Sequence, residues 1–168
     1  PLTGGDGEGI PTFAEVLLIV QGRVPLLVEV KDQDGAMGEE VGALEAAAAR
    51  DAEGYEGPLA FMSFNPHSVG AMARLAPDRP RGLTTSAYRA DDWPTLPAPV
   101  RDRLRDIPDY DPTGASFISH EASDLASPRV AELKGQGTAI LCWTIRSPEA
   151  ERTAREVAHN ITFEGYAA

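Results

Sequence analysis

Apolar residues follow two spacings that alternate along the chain. Short apolar runs of strand length are separated by segments whose apolar residues recur every three or four positions. The runs predict strands over residues 24–30, 58–64, 81–86, 116–119, 138–145 and 160–163. The helical spacing predicts helices over residues 12–20, 39–50, 66–75, 97–105, 127–135 and 147–158. Strands that alternate with helices through short loops favour an α/β fold with a parallel sheet.

Two segments are less regular than the rest, one before the first predicted helix and one around the fourth. Residues 1–9 are rich in glycine, and we expect them to be loose. Residues 89–112 are rich in proline and aspartate, which predicts either a long loop or a small cap. Since 168 residues suffice for one core and no linker is indicated, we expect a single domain over residues 1–168.

Composition excludes several classes of protein. With 26 acidic and 15 basic side chains the net charge is −11, which argues against a nucleic-acid partner. No stretch approaches the roughly 18 apolar residues of a membrane span, and no signal peptide is indicated, so we expect a cytoplasmic protein. Cys142, the single cysteine, lies within an apolar run and is interpreted as a buried structural residue.

The first predicted strand ends in two charges. In LLVEVKDQDG, Glu29 and Lys31 are separated by one valine, so they share a face of the strand. Charges on an inner face are costly unless they are paired or bound to something. A structural ion pair and a ligand site are equally open at this point.

Polar residues follow each of the predicted strands. Active sites of parallel α/β folds lie at the carboxyl ends of the strands, so we expect these residues to converge. They are Lys31, Asp32, Ser63, Asn65, Thr84, Thr85, Ser119, His120, Glu121, Thr144, Thr162 and Glu164.

The histidine and tryptophan residues differ in their predicted positions. We expect His67 to be exposed in the first turn of a helix and His159 to suit the dipole at a helix C-terminus. His120 is better placed for a function, although a structural role is favoured there too. Trp143 is interpreted as a pocket wall and Trp93 as loop packing.

Several motifs, taken in order, resemble a known family. The segment IPTFAEVLLIVQGRVPLLVEVK, residues 10–31, is similar to the middle of a glycerophosphodiester phosphodiesterase, where an Ile-Pro-Thr-Leu helix start precedes a strand ending Glu-x-Lys. The similarity continues through MSFNP, RGLTT and AILCWTIRSPE, and it reaches NITFEGY, which departs from the commoner Thr-Asp ending. It covers nearly all of residues 10–166.

The resemblance implies a TIM-type (β/α)8 barrel that hydrolyses glycerophosphodiesters to an alcohol and glycerol phosphate with a divalent metal. The N-terminal half of that barrel carries a His-Arg strand, a Glu-x-Asp pair and a His-Asp strand, and none of these occurs here. We therefore expect the C-terminal portion of the barrel. Such a fragment lacks the catalytic histidines and two of the three metal carboxylates, and we expect little or no activity from it alone.

Four residues match functional positions of the family. The resemblance implies that Glu29 is a metal ligand and that Lys31 faces the substrate phosphate. It implies that Phe64 and Trp143 form apolar walls around the glycerol. An oxygen ligand suits Ca²⁺ or Mg²⁺, and an ammonium beside a phosphoryl oxygen stabilises the charge that develops there.

A half barrel leaves an inner face and strand edges exposed. We therefore expect self-association, or pairing with the missing N-terminal half, near residues 24–30. Two alternatives stay open. One is a degenerate half-barrel that binds a ligand or partner without catalysis. The weaker one is a barrel enzyme that uses Lys31 as a Schiff-base amine.

Overall fold

One parallel sheet organises the chain. The computed structural model describes residues 9–168, so the expected loose segment lies outside the described residues except for Gly9. Neighbouring strands pair in chain order, all of them parallel. The strands are β1 Leu26–Glu29, β2 Leu59–Ser63, β3 Arg81–Thr85, β4 Phe117–Glu121, β5 Ala139–Ile145 and β6 Asn160–Phe163. The sheet curls as half of a barrel, and the predicted strand–helix alternation is confirmed.

One helix precedes β1, and the others connect each strand to the next. The helices are α1 Phe13–Val20, α2 Ala43–Asp51, α3 Pro66–Leu75, α4 Ala98–Arg105, α5 Pro128–Gly135 and α6 Pro148–Ala154. Side-chain caps explain several starting points, because a side-chain oxygen accepts a backbone N–H of the first turn at Thr12, Asn65, Ser127 and Ser147.

The second helix starts later than the sequence predicts. Gly42 has a φ of 134°, which a helix cannot contain. The Glu45 carboxylate accepts the Gly42 N–H at 2.7 Å and fixes the first turn there. Residues 39–42 therefore belong to the preceding loop.

The main core lies between the sheet and the outer helices. Leu83, Ile118 and Ile140 extend from three adjacent strands and pack with Val130 and Leu133 of α5. Cys142 is buried in the same cluster, and burial raises the pKa of its thiol. The structural interpretation of this cysteine is confirmed.

The Pro- and Asp-rich segment forms a small cap. The segment contains α4. Its Leu96 and Leu104 pack with Met37 and Tyr88, which lie outside the segment, in a separate apolar cluster. Phe64, directly after β2, packs against this cluster. The cap therefore covers the carboxyl end of the sheet.

Apolar side chains remain exposed beside β1. Leu18 and Ile19 of α1 are exposed, as are Val24 and Leu27. β1 is an edge strand of the described sheet. Within residues 9–168, none of the helices has the length and apolar character needed to cross a bilayer.

Candidate active site on the inner face of the sheet

Strand register divides the polar strand-end residues between two faces. Glu29 pairs with Met62, Met62 with Gly82, and Thr84 with Ser119. Because alternate residues share a face, the inner face, opposite the helices, carries Glu29, Thr84, Ser119, Glu121 and Trp143. Ser63, Thr85 and His120 lie on the helix side. The expectation that all these groups converge is therefore wrong for that second set.

Glu29 and Lys31 meet at the end of β1. Lys31 Nζ lies 2.8 Å from Glu29 Oε1, and the lysine side chain is 70% exposed while the glutamate is 22% exposed. The approach does not have hydrogen-bond geometry, so this buried carboxylate oxygen accepts no hydrogen bond from the described residues. Lys31 is therefore the cation that this oxygen faces in the structure, and a carboxylate oxygen of this kind also suits Ca²⁺ or Mg²⁺.

Phe64 and Trp143 bridge the inner face. Phe64 follows β2, and Trp143 lies in β5. These two strands are separated by about 14 Å along the sheet, yet the two ring centroids are only 5.5 Å apart. The Trp143 indole donates to the Ser119 carbonyl oxygen at 3.0 Å, which tilts the ring over β4. The two rings therefore arch over β3 and β4.

Trp93 extends this aromatic wall. Its ring lies 5.1 Å from Phe64, and its indole donates to Ser86 Oγ at 3.1 Å. The sequence interpretation of Trp93 as loop packing missed this contact. Only the fold of the cap brings the loop residue to the end of β2.

His120 is a structural residue. Its ring is buried on the helix side, with Nδ1 2.8 Å from Thr85 Oγ1 and Nε2 3.1 Å from Asp124 Oδ2. Burial lowers the pKa of His120 despite the nearby Asp124 carboxylate. The ring is thus held away from the inner face.

The other two histidines are also outside the inner face. His67 is exposed in the first turn of α3. His159 Nδ1 accepts the Ile140 N–H at 2.9 Å, which joins the end of the last helical turns to β5. The expectation for His67 is confirmed. His159 is not at a helix C-terminus as expected, because α6 ends at Ala154, and its contact is the bond from Ile140.

Glu121 forms a neutralised pair at the rim of the inner face. Its carboxylate accepts the Ala87 N–H at 3.1 Å and pairs with Arg89 at 2.7 Å. Burial opposes ionisation of Glu121, but the bonds from Ser123, Ala87 and Arg89 outweigh burial and lower its pKa. This carboxylate is therefore already occupied by protein donors.

The described residues do not provide a complete cation site. Residues 9–168 contain no group of three or more His, Cys, Asp or Glu side chains placed to hold a metal. Glu29 fits the role of a single ligand, although the Lys31 ammonium lies beside its carboxylate oxygen in this structure.

A family profile matches almost the whole chain. The profile is that of the glycerophosphoryl diester phosphodiesterase family, and it matches residues 2–160. A search of curated proteins finds no match.

Solved structures share the fold. An Oleispira antarctica phosphodiesterase in complex with the product sn-glycerol-3-phosphate is 21% identical, with a TM-score of 0.68, over 91% of this chain and 57% of that one. A glycerophosphodiester phosphodiesterase from Parabacteroides distasonis is 18% identical, with a TM-score of 0.64, over 91% and 59%. A glycerophosphodiester phosphodiesterase from Thermotoga maritima is 13% identical, with a TM-score of 0.64, and the match covers 91% of this chain and 59% of that one.

This chain spans less than two thirds of the length of these three structures. The prediction of a TIM-type half-barrel is confirmed, because the curled parallel sheet superposes on part of their barrels.

Proposed function

We propose that this chain, which belongs to the glycerophosphoryl diester phosphodiesterase family, supplies part of an active site for metal-dependent hydrolysis of glycerophosphodiesters to an alcohol and glycerol phosphate. The observation that carries the proposal is the pairing of Glu29 and Lys31 on the inner face. The Glu29 carboxylate oxygen Oε1 is buried and accepts no hydrogen bond from the described residues, while the Lys31 ammonium 2.8 Å away is on a largely exposed side chain.

Each of these side chains has a separate role. Glu29 would hold a divalent cation, Ca²⁺ or Mg²⁺, both of which prefer oxygen ligands. When bound, the cation polarises a phosphoryl oxygen as a Lewis acid. Lys31 neutralises the substrate phosphate, and its exposed side chain is free to turn from the carboxylate towards the anion.

The aromatic bridge holds the remainder of the substrate. Phe64 and Trp143 form an apolar wall over β3 and β4, against which the carbon chain of glycerol packs. The wall also excludes water from the phosphate, which strengthens the interaction with Lys31. The substrate is accordingly a small molecule.

The remaining catalytic groups would lie outside the described residues. One carboxylate holds a cation weakly, and His120 faces the helices. We propose that the acid, the base and the other metal ligands come from a longer chain or a partner. The 168-residue chain alone would have little or no diesterase activity.

The exposed apolar edge offers a place for the missing groups to join. Val24 and Leu27 border β1, and the outer side of this strand pairs with no described strand. We propose that the N-terminal half of the barrel, or a second copy of the chain, covers this edge. A cytoplasmic location stays a prediction.

A binding module without catalysis is the second candidate. The specific observation that favours it is that residues 9–168 contain no group of three or more possible ligand side chains placed to hold a metal. A Schiff-base role for Lys31 is less well supported, because its ammonium is exposed and lies against Glu29.

An assay of glycerol phosphate release separates these functions. The substrates are glycerophosphodiesters, with Ca²⁺ or Mg²⁺ added or chelated, and the enzymes are the 168-residue chain and the product of the longest reading frame that contains it. We expect cation-dependent release from the longer product and almost none from the 168-residue chain. Binding of the diester without release by either protein would favour the binding module.

A further inference from the structure

Within residues 9–168, the buried side-chain polar atoms that lack a hydrogen-bond partner all lie on one face of the sheet. Three such atoms are found: Glu29 Oε1, Thr84 Oγ1 and Ser119 Oγ. Glu29 Oε1 lies 2.8 Å from the Lys31 ammonium, so only the two hydroxyls have no partner of any kind. The strand register places all three on the inner face. Since an unpaired buried polar group is unfavourable, the common location of the two hydroxyls points to a ligand.

Thr84 and Ser119 form an adjacent pair. They are direct register partners in β3 and β4, and both residues are almost completely buried. Partners in neighbouring strands lie about 4.8 Å apart, and neither hydroxyl bonds to the other. Each hydroxyl has one donor and two acceptor sites, so together they suit one small group with its own donor and acceptor.

Aromatic rings enclose this pair on two sides. The Phe64–Trp143 bridge passes over β3 and β4, and the Trp143 indole is fixed to the Ser119 carbonyl oxygen. Towards the other end of the strands, the Phe117 ring lies over Gly82 so closely that a Cβ there would come within 2.3 Å of it. The two hydroxyls therefore form a polar layer between aromatic layers.

We infer that Thr84 and Ser119 form a hydroxyl-binding subsite for the glycerol part of the substrate. An alcohol O–H donates to one of the two side chains and accepts from the other, while the glycerol carbons contact Phe64 and Trp143. Entry requires the two rings to separate. This inference rests on the proposed function, because that function supplies the glycerol.

A pair of phosphate probes tests the subsite. sn-Glycerol 3-phosphate and n-propyl phosphate share the phosphate and the three-carbon chain, but only the first has free hydroxyls. Both are titrated into the product of the longest reading frame that contains this chain, and the indole N–H signal of Trp143 is followed by NMR. We expect glycerol phosphate to bind about fivefold or more tightly, as one hydrogen bond of about 1 kcal/mol predicts.

Three variants assign this preference to particular hydroxyls. Thr84→Val and Ser119→Ala remove the unpartnered hydroxyls and should abolish the preference for glycerol phosphate. Thr85→Val is the matched control, because its hydroxyl lies on the helix side and bonds to His120. It should keep the preference.

Thermal unfolding of the free proteins gives an independent readout. Thr84→Val removes an unsatisfied group and should leave Tm unchanged or raise it, whereas Thr85→Val breaks a buried hydrogen bond and should lower it. A Thr84→Val protein that loses stability as Thr85→Val does would overturn the inference whatever the probes do.

The titrations also separate the inference from the function on which it rests. Equal affinity for the two phosphates, or an unchanged preference in Thr84→Val and Ser119→Ala, overturns the subsite and leaves the proposed function intact. If neither phosphate binds, the proposed function fails and the subsite fails with it.

Discussion

Lys31 Nζ and Glu29 Oε1 lie 2.8 Å apart on the inner face of β1, and one partner is exposed while the other is mostly buried. A pair of this kind contributes little to folding, since exposed ion pairs are worth about 0.2–1 kcal/mol. The two charges are better explained by ligand binding, in which Glu29 binds a cation and Lys31 binds a phosphate.

The weak structural role of this pair can be measured directly. We expect Glu29→Gln and Lys31→Met each to change the free energy of unfolding by less than about 1 kcal/mol, with a coupling energy in the same range. Urea unfolding of the two single variants and the double variant gives these values. A coupling of several kcal/mol would identify a structural ion pair.

Gly82 tests how tightly the inner face is packed. A Cβ at this position would lie 2.3–2.5 Å from three atoms of the Phe117 ring. We expect Gly82→Ala to lose about 1–3 kcal/mol of stability through overpacking, and Phe117→Leu to recover part of it in the double variant.

Gly135 provides the matched control for that substitution. It ends α5, and a Cβ there meets nothing within 4 Å. Gly135→Ala should be neutral or stabilise by up to about 1 kcal/mol. Equal effects of the two substitutions in chemical denaturation would show that Phe117 does not lie over Gly82.

His120 should make stability depend on pH. Burial lowers its pKa in the folded protein, so the unfolded state binds more protons between that lowered pKa and the ordinary value of about 6.5. The free energy of unfolding therefore falls as the pH drops through about 6.5 and continues to fall until His120 itself is protonated in the folded state.

The pH effect is assigned by comparing histidine variants. Urea unfolding at pH 7.5 and pH 5.5 should show a smaller difference for His120→Gln than for the parent. His67→Gln, at an exposed position, should behave like the parent. A His120→Gln protein with the parent's full pH dependence would exclude this source.

The exposed edge beside β1 predicts self-association. Val24 is 54% exposed and Leu27 is 40% exposed, next to a strand edge that pairs with no other described strand. Sedimentation velocity should show concentration-dependent oligomers that Val24→Lys and Leu27→Lys weaken. Leu75→Lys, at an exposed leucine on α3, should have no effect. A parent chain that stays monomeric at all concentrations would contradict this prediction.

Much of the architecture follows from local patterns. Apolar spacing located the six strands, and alternation along β1 placed Glu29 and Lys31 together. These features depend on nearby residues alone, so the sequence suffices to predict them.

The face of the sheet on which the Thr84 and Thr85 side chains lie could not be predicted in this way. Both end the same strand, and only the pairing of Thr84 with Ser119 decides which one faces inward. The contact of Trp93 with Phe64 likewise depends on how the cap folds. Register and long-range packing thus set the part of the site that the pattern missed.

The most direct test of the central claim is cation-dependent glycerol phosphate release by the product of the longest reading frame that contains this chain, with and without Glu29→Gln. We expect Glu29→Gln to reduce the rate by more than the roughly 10–100-fold typical of losing an outer-shell partner. Glu56→Gln, at an exposed carboxylate, should keep the full rate. A Glu29→Gln protein as active as its parent, or release that does not depend on a divalent cation, would contradict the assignment of Glu29 as a metal ligand.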